Sequence, residues 1–284
     1  MSEYIKKNRF KVLVIVAVFI SAVIWSAASN SPSGLLSIKV LDVGQGDSIF
    51  IKTPSGYKIL IDGGPSDKVL DYLGSELPFY DKTLDLVVLT HPQSDHLVGL
   101  IDVVRRYEIK SLWVSDSKNT SKQYQEWEQV LSSKDLEKTV VEVGDIIRFE
   151  DGVELRVVWP KGKLSTSDLN AKSIVILLDY KDFEMLLTGD ADKQVQPYSS
   201  FDSDIEVLKV PHHGAGSALN ESYTKTLSPE VSIISVGERN RYGHPTKNTT
   251  DFLISIGSEI LRTDLNGTVE IVTNGINWYT KMER

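Results

Sequence analysis

All five histidines of this 284-residue chain fall in three short segments: THPQSDH with His91 and His96, VPHHGAG with His212 and His213, and RYGHPT with His244. Each segment follows a predicted strand or sits in a Gly-containing loop. Neutral imidazole is the commonest protein ligand for divalent cations near pH 7. Ligands at strand ends are fixed by a rigid sheet, while the loops leave access. The chain has no cysteine, which removes disulfides, thiolate metal ligands and a thiol nucleophile together. A cation here has only imidazole, carboxylate and neutral oxygen donors to hold it.

In THPQSDH, the residues His91, Gln93, Asp95 and His96 occupy a tight turn after a buried strand, Leu84–Leu89. Leu97, Leu100, Ile101 and Val104 recur at helical spacing, so a helix is expected directly after His96. Carboxylate plus imidazole suits zinc or manganese. Alone, the same segment also reads as a strand-to-helix turn in which Asp95 caps the helix. LLTGD ends a second strand in Asp190, a carboxylate placed to complete one metal site or bridge two. In VPHHG two imidazoles stand side by side. One of them, His213 by preference, is expected to bind metal, and His212 to act beside it as acid or base.

Asp42 and Asp47 flank Gly44-Gln45-Gly46, and Asp62 precedes Gly63-Gly64. Glycine allows sharp turns and close approach, so Asp47 and Asp62 are expected to hydrogen-bond ligating imidazoles from behind; Asp42 is as readily a plain turn residue. Arg239, Arg241 and Lys247 surround His244, which suggests a local phosphate-binding patch. The patch would be local, because the formal net charge of −8 argues against non-specific coating of a polyanion.

Strands are expected at Leu36–Val43, Asp47–Lys52, Lys58–Ile61, Ser111–Ser115, Val153–Trp159, Ser173–Asp179, Phe183–Leu187, Ile205–Val210, Val231–Val236 and Thr268–Val272. Helices fit Ser121–Leu131 and Thr250–Ile256. Two clusters of strands, with helices between and after them, predict an α+β fold of two facing mixed sheets under outer helices over residues 35–284. Ahead of this domain, residues 1–11 carry Lys6, Lys7, Arg9 and Lys11, and residues 12–28 are uncharged. That run is about 17 residues, the lower limit for a membrane span. Residues 29–34 form a polar linker. Basic charge before the run and none just after it places the N-terminus in the cytoplasm and the domain outside. The segment is expected to be a single transmembrane helix that tethers the protein to the cell membrane, with secretion after signal cleavage at Ser26-Ala27-Ala28 as the alternative.

The segments LDVGQGDSIFI, ILIDGG, THPQSDH, LLTGD, KVPHHG and RYGHP occur in the order found in the ComEC-type branch of the metallo-β-lactamase superfamily. The chain resembles that branch from Leu36 to its C-terminus. The resemblance implies the αββα sandwich, metal bound at one edge between the sheets, and hydrolysis by metal-activated water; the ComEC domain is regarded as a DNA-degrading nuclease. Two positions depart from the superfamily pattern. Gln93 stands where a second imidazole or carboxylate ligand is usual, and Asn170 where a third-motif histidine is usual, leaving both as weak ligands at most. One metal site, with Asp95, His96, Asp190 and one of His212 and His213, is therefore expected to be firm. A second, resting on His91 and Asp190, is expected to be weak.

The function expected is that of a zinc- or manganese-dependent phosphodiesterase or nuclease on nucleic acid or a cell-wall polymer, with Asp95, His212 and His244 as proton-handling groups. The alternatives are acyl or lactam hydrolysis on the same fold, or a binding scaffold weakened at Gln93. No partner protein is identifiable.

Overall fold

The computed structural model describes residues 9–29, 34–196 and 204–284. Helix α1 (Arg9–Ser29) comes first, and most of its apolar side chains from Phe10 to Ile20 stand exposed. Among the described residues, no helix is long and apolar enough to cross a membrane. The spanning segment expected over residues 12–28 is thus not supported.

The domain opens with a meander of β1 (Leu36–Val40), β2 (Ile49–Lys52) and β3 (Lys58–Ile61). Helix α2 (Lys68–Glu76) follows, then β4 (Thr83–Leu84), β5 (Leu86–Leu89), α3 (Ser94–Arg106), β6 (Glu108–Ile109), β7 (Leu112–Val114), α4 (Lys122–Ser133) and β8 (Thr139–Val140). The second half runs β9 (Ile146–Arg148), β10 (Glu154–Trp159), β11 (Val175–Tyr180), β12 (Phe183–Leu187), β13 (Val207–Lys209), α5 (Glu221–Leu227), β14 (Val231–Ile234), α6 (Lys247–Ser255), β15 (Glu259–Arg262) and α7 (Thr263–Asn266). The chain ends on β16 (Val269–Thr273) and β17 (Trp278–Met282).

These make an eight-stranded sheet ordered β17-β16-β1-β2-β3-β5-β7-β8 and a seven-stranded sheet ordered β15-β14-β13-β12-β11-β10-β9. Each changes from antiparallel to parallel pairing along its width: β3, β5, β7 and β8 are parallel in the first sheet, and β12 to β15 in the second.

Strand alternation explains the layers. In β3, Ile59 and Ile61 join Leu155, Ile176, Met185 and Ile233 in a core between the sheets. Leu60, one residue out of phase, turns instead to α3 and α4 with Leu97, Leu100 and Trp127. On the far side, Leu177, Leu186 and Leu208 meet Tyr223, Leu227 and Leu253 of α5 and α6. Side chains at i and i+2 share a face, so each strand feeds two cores. Every fully buried Leu or Ile contributes about 1.5–3 kcal/mol. The result is helix, sheet, sheet, helix.

Several boundaries differ from the sequence expectation by a few residues, and those that bear on the site are these. Helix α3 starts at Ser94 rather than after His96, because Asp95 and His96 fit its first turn although they break the apolar spacing. Gln93, not Asp95, stands at its N-cap and makes no side-chain capping bond. The strand expected over Leu36–Val43 stops at Val40, and the next starts at Ile49.

Candidate metal centre

Parallel strands aim their C-terminal ends in one direction. Asp62 follows β3 and His91 follows β5, while Asp190 follows β12, His212 and His213 follow β13, and the His244 loop follows β14. Loops from both sheets therefore open at one edge of the sandwich. Here the five histidines gather. Ring centroids lie 4.2 Å apart for His91 and His96, 5.7 Å for His96 and His213, and 5.8 Å for His212 and His244.

Asp190 lies between the imidazoles. His96 Nε2 is 3.4 Å from its Oδ1; the Nε2 atoms of His91, His213 and His212 lie 3.9, 3.9 and 4.0 Å from its Oδ2. Asp95 Oδ2 is 3.3 Å from His213 Nε2. Asp95, His96, Asp190 and His213 each offer a donor atom, and these atoms all lie within 4.8 Å of one another. Among the described residues, both carboxylate oxygens of Asp190 and the Nε2 atoms of His91 and His96 are buried with no hydrogen-bond partner. Buried polar atoms left unsatisfied cost about 1–3 kcal/mol each. Imidazole and carboxylate atoms converging in this way fit a divalent cation.

Three of the imidazoles are oriented from behind. His96 Nδ1 lies 2.7 Å from Asp62 Oδ2, and His213 Nδ1 lies 3.0 Å from the Ser235 carbonyl, to which it donates. His91 Nδ1 contacts Thr90 Oγ1 at 3.1 Å, and that hydroxyl donates to Asp62 Oδ2 at 2.7 Å. Anchoring Nδ1 in this way leaves Nε2 facing the centre. Asp62 itself is held in a left-handed conformation (φ 57°) with Thr90 N donating to its Oδ1.

The turn that carries the histidine doublet is strained. His212 (φ 48°, ψ 44°) and His213 (φ 53°, ψ 23°) are both left-handed, a conformation costing a non-glycine residue roughly 1–2 kcal/mol. Gly214 continues it at φ 76°, where a Cβ would meet Pro245 Cβ at 2.6 Å. His212 N donates to Gly189 O, and Thr246 N to Gly214 O, so neighbouring loops hold the turn. The consequence is a split pair: His213 points inward and is buried, whereas His212 keeps its side chain 28% exposed.

Charge in the centre is arranged by burial and by the carboxylates. Burial, with the neighbouring His96, pushes His91 down to about 3, so it stays neutral and able to ligate. Burial also opposes charge on His213, but Asp190 and the contacts to Asp47 and Asp95 outweigh it and lift the imidazole to about 10. His96 is raised well above its usual value in the same way, by Asp190 and Asp62 against burial. Asp190 is held well below the usual carboxylate range, burial being outweighed by His96 and His213. The pocket thus attracts positive charge.

Around this core the other expected residues separate. Gln93 Nε2 donates to Asn170 Oδ1, and Asn170 Nδ2 lies 3.3 Å from His212 Nε2. These amides are tied to one another beside His212. Asp47 Oδ1 is 3.4 Å from His213 Nδ1, and its Oδ2 is 2.8 Å from the fully buried ammonium of Lys209. Asp42 is structural, pairing with Arg284 at 2.6 Å near the chain end. His244 lies in the open part of the site. Of the three basic residues near it, Arg239 pairs with Glu238 and Lys247 with Asp251 at the surface. Arg241 is linked inward through Tyr242, whose ring stacks on His244 at 5.8 Å. Sequence reasoning missed Lys209, Thr90, Ser235 and Tyr242. Only Lys209 left a signal, as a lone charge inside the apolar run VLKVP.

Residues 41–238 match the metallo-beta-lactamase superfamily. The chain belongs to that superfamily. It is similar to competence proteins of the ComEC type: ComE operon protein 3 of Bacillus subtilis (strain 168) is 29% identical over 266 residues, covering 82% of this chain and 32% of that protein. Competence protein ComA of Neisseria gonorrhoeae is 24% identical, covering 84% and 32%. The chain spans about a third of the length of these relatives. Exodeoxyribonuclease WalJ of Streptococcus pneumoniae serotype 2 (strain D39 / NCTC 7466) is 26% identical over 176 residues, 58% of this chain and 61% of that protein. Among solved structures, the metallo-beta-lactamase fold protein YhfI from Bacillus subtilis superimposes with a TM-score of 0.55 at 13% identity, covering 83% of this chain and 99% of that one. This likeness shows the fold alone.

Proposed function

We propose that this protein is a metal-dependent hydrolase of phosphodiester bonds that acts outside the cytoplasmic membrane. The observation that carries the reading is the convergence of buried, unsatisfied donor atoms from His91, His96 and Asp190 with Asp95 and His213. Asp95, His96, Asp190 and His213 would hold one divalent ion firmly. His91 offers a second, weaker half, because Gln93 and Asn170 are engaged with each other. A bound ion supplies Lewis acidity and a water of lowered pKa. The remaining work falls to the chain. Asp95, the least buried of the four, is placed to accept a proton from the attacking water. His212 and His244, on the open side, are placed to protonate a leaving oxygen.

Phosphodiester chemistry is favoured over acyl transfer by Arg241 at the mouth and by the similarity to an exodeoxyribonuclease. The location rests on the basic residues before the uncharged run at the N-terminus. It is tested by protease accessibility on intact cells, where protection of the domain until lysis would refute it. The activity is tested with purified protein and added Mn²⁺ or Zn²⁺ on DNA, bis-p-nitrophenyl phosphate and a β-lactam. Cleavage of DNA and of the phosphodiester is expected. Turnover of the lactam alone would overturn the reading.

A further inference from the structure

Tyr242 is a large aromatic side chain, 56% exposed, beside a candidate catalytic histidine. Exposed aromatic rings are common singly; this one is built into place. Asn240 Oδ1 accepts from both Tyr242 N and His244 N, and Asn240 Nδ2 donates to the carbonyls of Gly237 and His244. Gly237 packs so closely on Gln45 that a Cβ there would meet the Gln45 nitrogen at 2.6 Å. The loop is therefore fixed to the domain at several points. Its ring lies near parallel to His244 (26°, 5.8 Å), and His244 meets His212 edge-on at 5.8 Å. The Arg241 guanidinium lies over the Tyr242 ring at 5.1 Å and donates to its hydroxyl at 3.1 Å. A ladder of flat groups thus runs from solvent to the imidazole next to Asp190.

From this we infer that Tyr242 and Arg241 form a stacking subsite for an unpaired nucleobase next to the scissile bond. The inference rests on the phosphodiesterase reading and narrows its substrate to single-stranded nucleic acid. An acidic protein whose other nearby cations, Arg239 and Lys247, pair with carboxylates gains little from phosphate attraction. Aromatic and guanidinium faces hold bases of any sequence by stacking. Neither a sugar–alcohol phosphate polymer nor a lactam offers such a face.

The test is the fluorescence of 2-aminopurine in a cleavage-resistant phosphorothioate single strand, titrated with the whole protein. Quenching is expected with the unaltered protein and with Tyr242→Phe. Tyr242→Ala is expected to lose the quench and raise the half-saturating concentration about tenfold. No quenching by the unaltered protein, or equal quenching by Tyr242→Ala, overturns the subsite. Hydrolysis of bis-p-nitrophenyl phosphate is read in parallel. Hydrolysis without quenching removes the stacking subsite alone, and quenching without hydrolysis keeps it while removing the phosphodiesterase reading.

Discussion

The two oxygens of Asp190 are buried, lack hydrogen bonds among the described residues, and face His91, His96, His212 and His213 at 3.4–4.0 Å. Replacing this residue removes the one carboxylate common to both halves of the centre. Outer-shell changes already lower metal affinity about 10–100-fold, so Asp190→Asn is expected to exceed that loss, read by calorimetric titration with Mn²⁺. Affinity within a few fold of the unaltered protein would show that Asp190 is not a ligand. At Lys209 the expectation concerns stability. Its ammonium is fully buried against Asp47, and removing one partner of a buried ion pair typically costs about 3–5 kcal/mol. Lys209→Met should lose that much in urea denaturation, and the double change with Asp47→Asn should recover part of it. Gln93→His adds an imidazole to the half holding His91, so metal analysis should show occupancy rising above that of the unaltered protein. Unchanged occupancy would mean that Gln93 is not what leaves this half thin.

Helix α3 carries Asp95 and His96 and is seated by a backbone contact. A Cβ at Gly99 would meet the Gly63 carbonyl oxygen at 2.0 Å and the Ser66 oxygen at 2.6 Å. Gly99→Ala must push the helix off the loop that holds Asp62. The expected result is a loss of about 1–3 kcal/mol in denaturation, with weaker metal binding in the same protein. Lost stability with unchanged affinity would separate the two. The apolar spacing of this helix was legible from Leu97 onward, but its first turn was not, because the site residues there obey chemistry rather than amphipathic pattern. Strands β9, β15 and β17 were missed for a different reason. They lie at sheet edges and are half-exposed, so their side chains do not form apolar runs. The central strands, buried on both faces, read directly as Leu-, Ile- and Val-rich segments. Helices α2 and α5 span only nine and seven residues and bury two or three each, so few apolar positions marked them.

Across the molecule, two sheets contribute ligands to one edge, so a bound ion ties together segments more than a hundred residues apart. Ligand that binds only the folded state stabilises it by about 2.7 kcal/mol at a hundredfold excess over its dissociation constant. Chelator is therefore expected to lower the melting temperature by several degrees. The gathering of the histidine segments was legible because metal chemistry restricts which residues are useful. The split between His212 and His213 was legible only as a preference, since it depends on two consecutive left-handed residues that no composition reveals. The reach of α1 was less legible still, since a length at the lower limit for a span left the outcome open. What decides the whole reading is metal content per chain, measured by plasma mass spectrometry on protein purified without added chelator. One tightly held divalent ion, lost in Asp190→Asn, is the expected result. Protein that holds no ion, and takes none up from Mn²⁺ or Zn²⁺ solutions, would contradict it.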